Sequence, residues 1–380
     1  MKISRRGVVA PFHAMEVMKA ANERAAAGGD VLHMEVGQPA TPAPRQAIEA
    51  AVRALRSEQL GYTEALGVPS LRSAIAGHYR ARSGVAVPPE RIIVTTGSSG
   101  AFLLAFLAVF DVGERMAMAE PGYPAYRNIM AALGIEPVVL PVGPEHRFQP
   151  SAELLRGLKG PLHGLLLASP ANPTGTMIDA TTLTALVREC AGRGLWLIVD
   201  EIYHGITYRG PAETVLALTD DAIVVNSFSK YFSMTGWRLG WMVVPERLVR
   251  PIERLAQNLF ISPPAVSQAA AAAAFLAYDE LDANVARYAR NRAHLLEGLP
   301  AAGFDRLAPA DGAFYIYADV SRYTVDSQDF CRRMLAETGI AVTPGIDFDR
   351  CHGHRFVRFS FAGATADMAE AVRRLKAWAK

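Results

Sequence analysis

In "NSFSKYFSMTGWRLGW" a lone lysine, Lys230, stands between serines at the end of an apolar run, with Arg238 eight residues further on. A surface lysine needs no such setting. A buried ammonium loses pKa through desolvation and neighbouring positive charge, which makes the amine a nucleophile toward an aldehyde. Arg238 offers a bidentate fork for a phosphate, and Ser227 adds a hydroxyl. The bland alternatives are an exposed lysine and a surface ion pair. A second apolar run, "LWLIVDEIYH", closes with Asp200, a carboxylate that needs a cation or several donors, or else caps the next helix. In "GSSGAFLLAFLAVF", Gly97, Ser98 and Ser99 open an apolar helix, where free N–H groups and the helix dipole favour a phosphate; a simple cap competes with that reading. The segment has neither the lysine of a Walker loop nor the glycine spacing of a dinucleotide fingerprint.

These groups need elements to hold them. Between about residues 90 and 245, short apolar runs recur, each ending in polar or turn residues: "RIIVTTGSSG", "ERMAMAEPGYP", "GLLLASPANPTG", "LWLIVDEIYH", "AIVVNSFSK" and "LGWMVV". Continuous runs indicate strands buried on both faces, and helical stretches between them indicate mostly parallel connections. Ligands of such sheets bind beyond the carboxyl ends of the strands. There stand Ser98 and Ser99, Tyr123, Asn172, Asp200 with Tyr203, and Ser227 with Lys230, a set able to hold a ring, a phosphate and an amine. An irregular N-terminal stretch and a helix over Arg45 to Arg56 precede this lobe. Residues Ala265 to Ala293 read as helical. "AFYIYADV" and "HRFVRFSFA" alternate as half-buried strands, and "ADMAEAVRRLKAWA" closes the chain as an amphipathic helix. The expected architecture is therefore α/β with a second, smaller α+β lobe.

Composition narrows the partners. The 380 residues are 51% hydrophobic and 20% charged, which suits two globular lobes, and the formal net charge of +2 is scattered without a basic stripe for nucleic acid. Cys190, Cys331 and Cys351 form no even set and no metal-ligand spacing, as expected of free thiols in a reducing compartment. The opening "SRRGVV" has the look of a twin-arginine export signal, but His13, Glu16 and Lys19 interrupt the apolar stretch that should follow. The tract from Gln268, "QAAAAAAFLAY", is too short to span a bilayer. Cytoplasmic location is the expectation, with no membrane or nucleic-acid partner. "CHGH" at Cys351 to His354 lacks a second ligand pair, so no metal site is expected, and His204 is assigned a supporting rather than a catalytic place.

In chain order, "VGQP", "GYTEALGVPSLRSAI", "TTGSSGAF", "EPGYPAY", "PANPTG", "VDEIYH", "SFSKYFSMTGWRLGW", "TPGIDF" and "VRFSFA" resemble the class I aminotransferases, the fold-type I enzymes that use pyridoxal 5′-phosphate. The likeness covers nearly the whole chain. It implies a large lobe with a mostly parallel seven-stranded sheet flanked by helices, and a division into residues 1–45 (N-terminal arm and part of the small domain), 46–275 (cofactor-binding domain) and 276–380 (small domain). It implies that Lys230 joins covalently to the cofactor aldehyde, that Asp200 pairs with the pyridine nitrogen, and that Asn172 and Tyr203 donate to the ring oxygen. Tyr123 matches the aromatic stacked on the ring. Gly97, Ser98, Ser99, Ser227 and Arg238 match the phosphate cradle, and Tyr62 matches a tyrosine that reaches the neighbouring subunit's phosphate, which implies a homodimer with shared active sites. Arg358 matches the clamp for the substrate α-carboxylate, with Gly37 allowing close approach; without the resemblance, Arg358 would be an arginine on an alternating strand, facing solvent.

The implied activity is transfer of the amino group of an L-amino acid to a 2-oxo acid by ping-pong kinetics, with Lys230 as proton shuttle. A β-lyase of the same fold is the alternative, and an effector-sensing non-catalytic module a remote one, since the chain reaches "VGQP" by residue 36 with no room for a DNA-reading domain. No arginine or lysine matches a clamp for a second carboxylate, and Ser99 lies where some relatives carry a lysine for that purpose. Phe12, His13, Tyr123 and Tyr126 are candidates to line a pocket for aliphatic or aromatic side chains.

Overall fold

The computed structural model describes residues 2–57 and 60–378. Seven strands form the central sheet, in spatial order Ile92–Thr95, Gly240–Val243, Ile223–Ser227, Trp196–Asp200, Gly164–Ala168, Arg115–Glu120 and Glu136–Pro141. Gly240–Val243 runs antiparallel to both neighbours, and every other adjacent pair is parallel. The edge strand Glu136–Pro141, "EPVVLP", is the one that the apolar runs did not mark. It is half-exposed and flanked by prolines, as edge strands permit.

Alternation within the buried runs separates two cores. Val94, Ala117, Leu165, Leu167, Val199, Val224 and Val243 face one way, against helices such as Pro69–Ser83 and Ala180–Gly192. Ile93, Met116, Leu166, Ile198, Val225 and Met242 face the other, against Gly97–Val109, Pro124–Leu133 and Glu246–Leu259. Both faces are covered, so the inner strands are apolar over most of their length.

The expected helix from Ala265 to Ala293 is two helices, Ala265–Ala274 and Tyr278–Ala301, broken at Phe275 to Ala277. In the smaller lobe, Thr343–Pro344, Phe356–Ser360 and Tyr315–Asp319 form an antiparallel sheet. The latter two were expected to be half-buried, yet nearly every residue is buried, because the helices Ser327–Thr338 and Thr365–Trp378 and the large lobe leave little of the sheet to solvent. The N-terminal strand Leu32–His33 pairs with Ile340–Ala341, and Ser360 N–H donates to Met34 O at 2.8 Å, which fastens the arm to the small lobe.

Candidate active site

One edge of the large sheet gathers the polar groups, because the parallel strands end there. Thr95 leads to Gly97, Ser98 and Ser99; Glu120 leads to Tyr123; Ala168 leads to Asn172; Trp196–Asp200 ends on Asp200; and Ser227 leads to Lys230. Gly240–Val243 runs the other way, so its start, preceded by Arg238, lies at the same edge. The small-lobe sheet brings Arg358 and Tyr315 opposite. Together they bound a cavity of about 550 Å³, within the range of about 300–1,000 Å³ that holds a small cofactor with its substrate.

Lys230 Nζ donates to Gly37 O at 2.5 Å and lies 6.0 Å from the Tyr203 ring centre. Desolvation in the cleft, then Arg358 and Arg238, bring its pKa down to about 8, with Asp200 opposing them. A good share of the amine is therefore neutral and nucleophilic just above neutral pH. Asp200 is buried; burial pushes it up to about 6, while the Tyr126 hydroxyl, the Ile202 N–H and Lys230 draw it back. Tyr126 donates to Asp200 Oδ2, and Ile202 N–H donates to Oδ1 at 3.0 Å. Even with these donors the carboxylate remains short of a cation, which a protonated ring nitrogen would supply.

The N-terminus of Gly97–Val109 offers free N–H groups to an anion. Gly97 takes φ +74°, and a Cβ there would meet Arg238 Nη2 at 2.6 Å, so the glycine makes the space in which the guanidinium lies. Ser98, Ser99 and Arg238 line the cavity at this end. Ser227 does not: its hydroxyl is turned away, between Ser229 Oγ at 2.8 Å and Leu239 O at 3.1 Å, and Ser229 and Thr235 stand on the wall instead. These features fit the phosphate and ring of pyridoxal 5′-phosphate. Tyr62 is 84% exposed and lies outside the cavity, on an open surface cleft with Leu60 and Val68.

Opposite, Arg358 is 2% exposed rather than solvent-facing. Its Nη1 donates to Asn172 Oδ1 at 2.9 Å, and its Nη2 to Glu35 O at 2.5 Å and Thr343 Oγ1 at 3.1 Å, while its buried Nε has no partner. Its guanidinium lies 4.3 Å over the Tyr315 ring. Gly37 lines the cavity, and a Cβ there would fall 1.8 Å from Tyr315 Oη. Phe12, Tyr123 and Tyr126 line the cavity as expected, but His13 does not; it contacts Glu16 and Gln328. Ala14, Met15, Met18, Val36 and Ile202 complete an apolar side.

The sequence reading missed Tyr315, Ser229, the hydroxyl of Tyr126 on Asp200, and Asp347. Period-two alternation in "AFYIYADV" places Tyr315 and Tyr317 on one face, a signal that could have marked Tyr315 once Arg358 was placed on the neighbouring strand. Asp347 carried no signal, because its partners are backbone N–H groups of His13 and Ala14, far away in sequence.

A sheet edge carrying a lysine, an aspartate and an anion cradle, closed by an arginine from a second lobe, is the architecture of the fold-type I aminotransferases. The family model for aminotransferase class I and II matches residues 29–375, and the chain belongs to that family. The valine–pyruvate aminotransferase of Mycobacterium tuberculosis is 52% identical over 381 aligned residues, which span 99% of this chain and 98% of that protein. The crystal structure of an aminotransferase from Mycobacterium tuberculosis superposes with a TM-score of 0.98 at 52% identity, covering 100% of this chain and 99% of that one. Thermus thermophilus aspartate aminotransferase with maleate gives a TM-score of 0.93 at 31% identity, covering 99% of both chains. The protein is an aminotransferase, transferring the amino group of an amino acid to a 2-oxo acid, and pyridoxal 5′-phosphate is the cofactor of its family.

Proposed function

We propose that the enzyme takes the amino group from a monocarboxylic L-amino acid with an aliphatic side chain, valine-like in size, and passes it to a short 2-oxo acid such as pyruvate. The observation that carries this reading is the distribution of charge in the cavity. Among the described lining residues the cations are Lys230, Arg238 and Arg358. Lys230 is committed to the cofactor and Arg238 to the anion cradle, which leaves Arg358 for a single carboxylate. The remaining wall, with Phe12, Met15, Met18 and Val36, suits an apolar side chain. The similar protein named valine–pyruvate aminotransferase supports the same choice.

The cofactor, when bound, supplies an electrophilic carbon for the amino group and a ring that accepts the charge left by the departing Cα proton. Lys230 would hold the cofactor through Nζ, and its neutral amine would take the Cα proton and return it on the other side of the transfer. Asp200 would keep the ring nitrogen protonated, Asn172 and Tyr203 would donate to the ring oxygen, and Tyr123 would cover the ring. Arg358 grips the α-carboxylate with a fork of N–H donors and so fixes the torsion that presents the Cα–H bond.

The same reading makes the enzyme a cytoplasmic homodimer in which Tyr62 of one copy completes the phosphate cradle of the other. Exposed Leu55, Leu60, Tyr62, Leu259 and Ile261 support a covering second copy. The three cysteines are free, and among the described residues no helix is long and apolar enough to cross a membrane. The same proposal divides the chain into 1–45, 46–275 and 276–380, with the seven-stranded sheet in the second part and the three-stranded sheet in the third as support.

Steady-state rates with a panel of amino acids against pyruvate and 2-oxoglutarate test the proposal. Parallel double-reciprocal lines, valine-like donors ahead of aspartate and glutamate, and loss of turnover in Lys230→Ala with the fold intact are expected. Substantial turnover in Lys230→Ala, or a preference for dicarboxylic donors, would sink it.

A further inference from the structure

Tyr315 belongs to the small lobe, yet its hydroxyl reaches across the cleft to the large lobe, where it lies 2.7 Å from the hydroxyl of Tyr203. Both side chains are buried and both line the cavity. Their rings meet edge to face at 5.7 Å. Gly37 lets this happen, since a side chain at that position would occupy the place of the Tyr315 hydroxyl.

Each phenol has one O–H to give, and between two hydroxyls only one can donate. Tyr203 Oη is the hydrogen-bond partner that the structure gives Tyr315 Oη. The Arg358 charge acts on both phenols but lies directly over the Tyr315 ring, at 4.3 Å, which favours Tyr315 as the donor.

We infer that Tyr315 is a positioning residue that fixes the donor role of Tyr203: Tyr315 donates to Tyr203 Oη and leaves the Tyr203 proton for the cofactor ring oxygen. The inference rests on the assignment of Tyr203 and Lys230 above. A hydroxyl that accepts one hydrogen bond gives a stronger one, because chains of hydrogen bonds polarise one another. Stronger donation to the ring oxygen stabilises it as an anion, so the proton on Lys230 Nζ in the loaded enzyme leaves at lower pH. The charged and titratable groups facing this pair are Arg358 from the small-lobe sheet, Asp200 from Trp196–Asp200, Lys230 and Arg238 from the segment after Ile223–Ser227, and Tyr123 before Pro124–Leu133. None of them is altered by Tyr315→Phe, which removes one oxygen and keeps the ring under Arg358.

The test titrates the visible absorbance of cofactor-loaded protein against pH without substrate, for the parent, Tyr315→Phe, Tyr203→Phe and the double variant. Tyr315→Phe is expected to move the transition upward by roughly half a pH unit, about a threefold change in proton affinity. Tyr203→Phe should move it further, and the double variant should coincide with Tyr203→Phe. Gly37→Ala, which keeps both hydroxyls but drives a methyl into the place of Tyr315 Oη, should move it the same way as Tyr315→Phe. A Tyr315→Phe transition that matches the parent, or a double variant in which the two shifts add, overturns the inference. No shift in Tyr203→Phe overturns it together with the Tyr203 assignment, while loss of the visible band's dependence on Lys230 marks failure of the function itself.

Discussion

Arg358 Nη1 donates to Asn172 Oδ1 at 2.9 Å, so the arginine of the small lobe and the asparagine after the strand Gly164–Ala168 orient one another across the cleft. The bond uses the amide oxygen of Asn172 and leaves its NH₂ group as the donor. It also fixes one end of the guanidinium, while Glu35 O and Thr343 Oγ1 fix the other.

Lysine in place of Arg358 keeps a positive charge but loses the fork and two of these anchors. We expect Arg358→Lys to lower kcat/KM for the amino acid about 100-fold, the loss of two charge-assisted hydrogen bonds at roughly 1.5 kcal/mol each, with cofactor affinity unchanged. Steady-state kinetics beside a cofactor titration would check this, and an equal loss in both would place Arg358 at the cofactor instead.

Burial of Lys230 has a cost visible in the cofactor-free protein. Its pKa in the folded chain, about 8, lies below the ordinary lysine value of 10.5, so unfolding is favoured wherever the ammonium is charged. The penalty is fully present below about pH 8, shrinks as pH rises toward 10.5, and vanishes above it. Cofactor-free Lys230→Met should therefore be more stable than the parent by up to about 3 kcal/mol at pH 7. Denaturant midpoints of the two proteins should converge near pH 10.5; parallel curves across that range would refute the idea.

Asp200 must be ionised to hold a protonated ring nitrogen, and the Tyr126 hydroxyl helps to keep it so. Removing that donor in Tyr126→Phe raises the carboxyl pKa further above about 6. Cofactor affinity should then begin to fall at a higher pH on acidification than in the parent, with little change at pH 8. Fluorescence titration of the cofactor at a series of pH values measures this directly, and superimposable profiles would contradict it.

The carboxylate of Asp347 accepts the N–H groups of His13 at 3.1 Å and Ala14 at 3.0 Å, capping the helix His13–Ala26 from the small lobe. That helix supplies Ala14, Met15 and Met18 to the apolar wall. Asp347→Ala should cost about 1–2 kcal/mol of helix docking, raise KM for aliphatic donors more than it lowers kcat, and quicken proteolysis near Met15. Asp347→Asn, which keeps an acceptor oxygen, should restore much of the loss.

The fold was legible wherever a local pattern was strong. Unbroken apolar runs marked six of the seven sheet strands, and the polar residue at the end of each pointed to the site edge. The proline-flanked edge strand Glu136–Pro141 escaped because it is neither wholly apolar nor cleanly alternating. The break at Phe275 to Ala277 escaped because alanine and leucine favour helix on either side of it. Lys230, Asp200 and Asn172 could be read from motifs, whereas the turn of Ser227 away from the cavity and the Tyr315–Tyr203 contact depend on how two lobes meet. Sequence spacing does not encode that meeting.

The most direct test mixes cofactor-loaded enzyme with one equivalent of L-valine, and then with pyruvate, while the visible absorbance is followed. The band should decay in a single stoichiometric step without release of ammonia, return when pyruvate is added, and be absent from Lys230→Ala. A band that persists with L-valine, or that decays with ammonia release and does not return, would contradict the assignment.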